Sequence, residues 1–120
     1  MNKYILVVVL SMGLFTTGTA QDKTAVEIQS TVKTEIFTVY GNCGMCERTI
    51  ESSLKDVKGI SLVDWDMETD DMKVSYDSQL ISLDEIKQKI AEVGYDTETH
   101  RAKDSVYSEL PGCCQYERPK

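Results

Sequence analysis

The sequence predicts an α+β fold with the element order β-α-β-β-α-β, in which two helices cover one face of a four-stranded antiparallel sheet. Two segments carry apolar residues at helical spacing, and each of them ends near a glycine. The segments around them alternate polar and apolar residues, as strands do. With 120 residues, of which 41% are hydrophobic and 28% charged, the chain has the composition of one small globular domain.

The first strand and the first helix meet at a pair of cysteines. The segment "KTEIFTVYG", from Lys33, is rich in residues that favour strands, and Gly41 and Asn42 interrupt it. After Cys46, charged residues occupy one face and apolar residues recur at helical spacing on the other. The apolar positions are Ile50, Leu54 and Val57. Gly59 then predicts the end of this helix.

A hairpin of two antiparallel strands follows the first helix. Two alternating runs are separated by the polar residues "ETDD", which predict a short turn. The residues expected on one face of each run are Val63, Trp65 and Met67 in the first, and Met72, Val74 and Tyr76 in the second.

The second helix has the clearest end signals. Its apolar stripe consists of Leu83, Ile86, Ile90 and Val93. Ser82 followed by Glu85 predicts a capping box at its start, and Gly94 predicts its end. Residues 95–102 would form the last strand, with only Tyr95 to bury. This order of elements is that of the ferredoxin-like fold.

Both ends of the chain lie outside this unit. Residues 1–20 have one basic residue, an apolar run and small residues up to Ala20, which predicts a secretory signal cleaved after Ala20. The apolar run is shorter than the roughly 20 residues that a membrane-spanning helix needs. We expect residues 21–32 to be a flexible lead-in, 33–100 the folded domain and 101–120 a tail that contains cysteines and a helical turn around residues 106–110. The mature chain is therefore expected in the periplasm or outside the cell, without membrane insertion.

The charge balance narrows the class of partner. The chain has 13 basic and 20 acidic residues and a net charge of −7, so nucleic acid and anionic membranes are disfavoured as partners. No Ser-His-Asp set, phosphate loop or carboxylate pair stands out, and the sequence predicts a binding protein and not an enzyme.

Cys43 and Cys46 lie where the first strand gives way to the first helix. A helix N-terminus favours thiolate over thiol, and the thiolate is both the metal ligand and the nucleophile. Two thiolates suit a soft ion such as Cu(I), whereas zinc requires four ligands. From these residues alone a metal clamp, a structural disulfide and the redox pair of a thiol-disulfide enzyme all remain open, with the clamp favoured by the order of elements that follows.

The segments "YGNCGMCERTIESSL" and "AEVGYDTE" resemble the heavy-metal-associated domain of copper chaperones, of copper-pumping ATPases and of the periplasmic mercury-binding protein. The resemblance covers about Lys33 to Thr99. It implies that Cys43 and Cys46 hold the ion and that the Gly94-Tyr95 loop packs beside the metal site. It also implies capture and transfer of a thiophilic ion, Cu(I) in the first place and Hg(II) as the alternative. A metal-exchanging membrane transporter or another thiol protein would be the partner.

The sequence departs from the family pattern at one position. Gly41 stands where the family has a methionine buried beneath the site, and Met45 lies between the two cysteines instead. Met45 either offers its sulfur to the ion or covers the site, and the second role is favoured because methionine often fills gaps.

Cys113 and Cys114 are adjacent in the tail, beyond the resembling segment. If the tail folds back, they supplement Cys43 and Cys46 in a four-thiolate set for Zn(II), Cd(II) or a small Cu(I) cluster. They could instead form an independent metal-binding tail, or disulfides that tie the tail to the domain.

Overall fold

A computed structural model describes residues 31–120, which form one compact unit. The elements are β1 Val32–Thr38, α1 Gly44–Lys55, β2 Ile60–Trp65, β3 Asp71–Asp77, α2 Leu83–Glu92, α3 Asp104–Ser108 and a 3-10 turn Gly112–Cys114. The predicted signal segment and nearly all of the predicted lead-in lie outside the described residues.

The three strands form an antiparallel sheet in the order β1-β3-β2. Met72 of β3 pairs with Phe37 of β1 on one side and with Trp65 of β2 on the other, so these three side chains share a face. All three are buried, together with Val74 and Tyr76 of β3. The alternation of the sequence therefore predicted the inward face of β3 and the burial of Trp65, whereas Met67, predicted on the same face as Trp65, lies beyond β2 and is exposed.

Both predicted helices are present and cover this face. Each contributes apolar side chains with no exposed surface, namely Ile50 and Leu54 from α1 and Ile86 and Ile90 from α2. The Ser82 half of the predicted capping box is confirmed, because the Ser82 hydroxyl accepts a hydrogen bond from the Glu85 amide at 3.1 Å. Gly94 follows α2 with φ +105°, a conformation that favours glycine.

The predicted fourth strand is wrong in extent. Residues 95–102 make a single bridge, between Val39 and Thr97, instead of a ladder. The Thr97 amide donates to the His100 carbonyl at 2.8 Å, so the chain turns back where a strand would continue. The Asp96 carboxylate is buried and bonded to the C-terminal segment, which fixes this stretch by side-chain contacts instead of sheet pairing.

The tail packs on the domain. Its helix α3 lies at Asp104–Ser108, close to the predicted turn, and Cys114 and Tyr116 join the buried core. Among the described residues, no helix is long and apolar enough to cross a membrane.

Candidate metal centre

Cys43 and Cys46 meet at the start of α1. Cys43 is the residue that caps the helix and Cys46 lies in its first turn, so the helical geometry turns both side chains to the same side. Their Sγ atoms are 3.3 Å apart. Cys46 has no exposed surface and Cys43 is half-buried, and the pair can therefore be reached from solvent through Cys43.

The environment of Cys43 favours its thiolate. Partial burial by itself raises the pKa of the Cys43 thiol, but hydrogen bonds from the amides of Met45 and Cys46 and from neighbouring thiols lower it from 9.0 to about 7. The unpaired amides of a helix N-terminus are the physical source of this effect. A thiolate is thus available near neutral pH.

The position of the Trp65 ring explains why glycine, and not the methionine of the family pattern, occupies position 41. A Cβ atom at Gly41 would lie 2.8 Å from the Cζ2 and Cη2 atoms of the Trp65 ring and 3.3 Å from Cβ of Cys46. The indole nitrogen of Trp65 donates to the Val39 carbonyl at 2.9 Å, which fixes the ring in this position. The indole therefore occupies space that a methionine at position 41 would need.

The tail folds back onto the cysteine pair. The Sγ of Cys114 lies 3.6 Å from that of Cys43, and the Sγ of Cys113 lies 3.9 Å from that of Cys114. The sulfurs of Cys43, Cys113 and Cys114 all lie within 4.8 Å of one another, a spacing compatible with one metal ion. All four cysteines are free thiols. The structure thus brings the four predicted cysteines together, while their role as ligands stays a prediction.

The two tail cysteines differ in environment. Cys114 is buried, and its burial, with hydrogen bonds to Cys43 and Cys46, raises its pKa to about 12. Cys113 is exposed, and its Sγ lies 3.6 Å from the Sδ of Met45, which is 49% exposed. Met45 therefore lies at the outer edge of the cluster, in an open depression that it lines with Cys113 and Cys43.

Tyr95 lies on the inner side of the cluster. Its hydroxyl is buried without a hydrogen-bond partner, the only such side-chain atom among residues 31–120. Burial raises its pKa, and so does the nearness of the thiols of Cys46 and Cys114. A buried hydroxyl beside two sulfurs can donate a hydrogen bond to a thiolate.

Sequence reasoning did not single out the residues that hold the tail in place. Arg118 donates two hydrogen bonds of 2.8 Å to the buried carboxylate of Asp96, and this partner lowers the pKa of Asp96 although burial opposes it. The Tyr116 hydroxyl accepts from the Asp96 amide at 2.8 Å and donates to the Gly94 carbonyl at 2.9 Å. Because these partners are about twenty positions apart along the chain, they leave no periodic signal in the sequence.

Comparisons with known proteins agree with this geometry. A family model described as heavy-metal-associated domain matches residues 37–96. The copper chaperone CopZ of Staphylococcus aureus (strain JH9) is 33% identical over 63 residues, which cover 52% of this chain and 93% of CopZ. A solved CopZ metallochaperone is similar with a TM-score of 0.52 and 32% identity, over 54% of this chain and 98% of that one. The water-soluble region of the P-type ATPase CopA from Bacillus subtilis gives 0.54 and 28%, over 58% of this chain and 47% of that one.

Proposed function

We propose that this chain, which belongs to the heavy-metal-associated domain family, captures Cu(I) at Cys43 and Cys46 and passes it on to another thiol protein. The observation that carries the proposal is the pair of sulfurs 3.3 Å apart at the start of α1, one of which has its pKa lowered to about 7. Soft thiolate ligands select Cu(I) over harder ions. The likeness to a copper chaperone supports the same ion.

Transfer would take place by ligand exchange. An incoming thiolate forms a bond to the bound ion while one of the protein's own metal–sulfur bonds breaks, so the oxidation state of the ion does not change. Cys43 suits this step because it is half-buried, whereas Cys46 has no exposed surface. The chain acts as a carrier in this scheme and needs no catalytic residue.

A metal-transporting membrane protein is the partner we propose. The support is the similarity to the soluble region of a P-type ATPase, which presents a related fold. Charged side chains of Glu47, Arg48 and Glu51 line the depression beside Cys43 and would contact such a partner.

We further propose that the protein acts outside the cytoplasm. The support is the composition of residues 1–20, which is that of a cleavable signal. Mass spectrometry of the protein purified from its native host should show a chain that begins at Gln21. A cytoplasmic chain that retains residues 1–20 would contradict this part of the proposal.

Anaerobic titration of the reduced chain tests the function. We expect Cu(I) to be held against a competing chelator, and Hg(II) and Zn(II), titrated in parallel, show which ion is preferred. A chain with both Cys43→Ser and Cys46→Ser should lose this binding, while a Ser53→Ala chain, altered on the same helix away from the sulfurs, should keep it. Undiminished binding by the double variant would refute the proposal, as would catalytic reduction of a disulfide substrate without metal.

A further inference from the structure

We propose that Cys114 is a third ligand to the captured ion, so that the C-terminal segment 102–120 converts the pair of Cys43 and Cys46 into a closed three-thiolate centre. The inference rests on the proposed function, since it adds a ligand to the same site. The family match ends at residue 96, so this ligand comes from a part of the chain that the family pattern does not describe.

The separations between the sulfurs favour a three-coordinate ion. The Sγ of Cys43 lies 3.3 Å from that of Cys46 and 3.6 Å from that of Cys114. With metal–sulfur bonds of about 2.3 Å, ligand sulfurs are about 4.0 Å apart in a trigonal centre and about 4.6 Å apart in a linear one. Both observed distances are closer to the trigonal value. Cys43 therefore has two neighbouring sulfurs at separations nearer to those of a trigonal centre than to those of a linear pair.

The segment that carries Cys114 is held firmly against the domain. A Cβ atom at Gly94 would lie 3.1 Å from Leu110, so the missing side chain at this position allows the tail to approach closely. The ring of Tyr116 stacks on that of Tyr95 with centroids 5.5 Å apart, two residues from Cys114. The ion pair of Arg118 with buried Asp96 fixes the end of the segment. A ligand positioned in advance loses little conformational freedom when the ion binds.

The hydroxyl of Tyr95 supplies an independent reason for a thiolate at this place. It is buried beside the thiols of Cys46 and Cys114, which are weak acceptors, and makes no other hydrogen bond. A buried polar group without a partner is costly, and a metal-bound thiolate is a strong acceptor. On binding, the metal–sulfur bond replaces the S–H bond of Cys114, the proton leaves to solvent, and the Tyr95 hydroxyl gains an acceptor.

Cys113 provides the matched control. It is next to Cys114 in sequence, and its sulfur also lies within 4.8 Å of that of Cys43. It is nevertheless exposed, and it contacts the sulfur of Met45 at the outer edge of the cluster. The sulfurs of Cys43, Cys113 and Cys114 also have the spacing of a site for one ion. We assign the ion to the inner set of three sulfurs because Cys46 and Cys114 are buried, whereas Cys113 is exposed.

X-ray absorption spectroscopy of the reduced chain, loaded with one equivalent of Cu(I), tests this assignment. We expect three sulfur ligands in the parent and in Cys113→Ser, and two in Cys114→Ser. Arg118→Gln should shift the spectrum toward two ligands although Cys114 is present, because the segment is no longer held in place. Arg101 lies 4.0 Å from the same carboxylate and donates to the Pro119 carbonyl at 2.8 Å. Arg101→Gln should nevertheless keep three ligands, because Arg118 still binds the buried carboxylate.

The outcomes separate the two proposals. Two sulfur ligands in the parent would overturn the three-thiolate centre even if Cys114→Ser failed to fold, and would leave capture at Cys43 and Cys46 intact. Loss of a sulfur ligand in Cys113→Ser, whether the parent has three or four, would also overturn it. If the chain with both Cys43→Ser and Cys46→Ser bound Cu(I) with the same number of sulfur ligands as the parent, the proposed function would instead be refuted.

Discussion

Replacing Arg118 by methionine should destabilise the packing of the C-terminal segment. Methionine has an apolar side chain of similar length to the aliphatic part of arginine, but it carries no charge to pair with Asp96. The side chain of Asp96 is 1% exposed and that of Arg118 is 11% exposed, so the carboxylate would be left almost fully buried without its main partner. Removing one partner of a buried ion pair costs about 3–5 kcal/mol.

Two contacts of the Asp96 carboxylate remain in the variant, and they place the expected loss of stability at the lower end of this range. The Ala102 amide still donates to the Asp96 carboxylate at 2.7 Å, and Arg101 lies 4.0 Å away with a side chain that is 55% exposed. We therefore expect a loss of about 3 kcal/mol in the free energy of unfolding. With a urea dependence of about 1–3 kcal/mol/M, the midpoint of unfolding should fall by roughly 1–3 M.

Urea unfolding and hydrogen exchange measure this effect together. The fluorescence of Trp65 reports the core, and the amide of Ala102 reports whether the segment opens before the core does. Arg101→Met is the matched control. It removes an exposed charge and a hydrogen bond to the Pro119 carbonyl, and should cost about 1 kcal/mol. If Arg118→Met and Arg101→Met lose the same stability, or if Arg118→Met unfolds like the parent, the ion pair does not hold the segment.

Two other predictions concern the cysteine loop. Gly41→Met should destabilise the chain by about 1–3 kcal/mol because the new side chain collides with the Trp65 ring. Adding Trp65→Leu should recover part of this loss, which a double-mutant cycle followed by thermal unfolding measures. A Gly41→Met chain as stable as the parent would disprove the collision. Alkylation of Cys43 in the reduced apoprotein, followed by peptide mass mapping, should be half-maximal near pH 7, because its thiolate forms above about that pH and disappears as the pH falls through it. Cys114, whose pKa is raised to about 12, serves as the internal control and should remain nearly unreactive at pH 7. Equal alkylation rates at Cys43 and Cys114 would show that the pKa of Cys43 is not lowered.

Local patterns predicted the parts of the fold that obey a period. The alternation around Trp65 and Tyr76 places both side chains in the core. The central residues of the two predicted helical stripes are buried, whereas Val57, Leu83 and Val93 at their ends are half-buried. Ser82 caps α2 because its hydroxyl can reach the amide three residues on. These features depend on neighbours within a few positions, and the sequence shows such neighbours directly.

The prediction of a last strand is wrong because the structure of this stretch depends on residues that are distant in sequence. Residues 95–102 have little to bury in a sheet, and their backbone follows contacts made by Asp96 and Tyr116 with a segment twenty positions further along. Gly41 is a similar case, since its lack of a side chain makes sense only beside the Trp65 ring. Neither contact has a sequence pattern that could have indicated it.

The sequence by itself determined the order of the first three strands and the two main helices, and the place of Cys43 and Cys46 at a helix start. Only the tertiary structure decided that the tail returns to this pair, that Cys114 lies inside and Cys113 outside, and that Tyr95 faces the sulfurs. The physical reason is that thiolate chemistry depends on residue type and helix position, which are local, whereas the geometry of a centre depends on distant segments held together by packing and buried ion pairs.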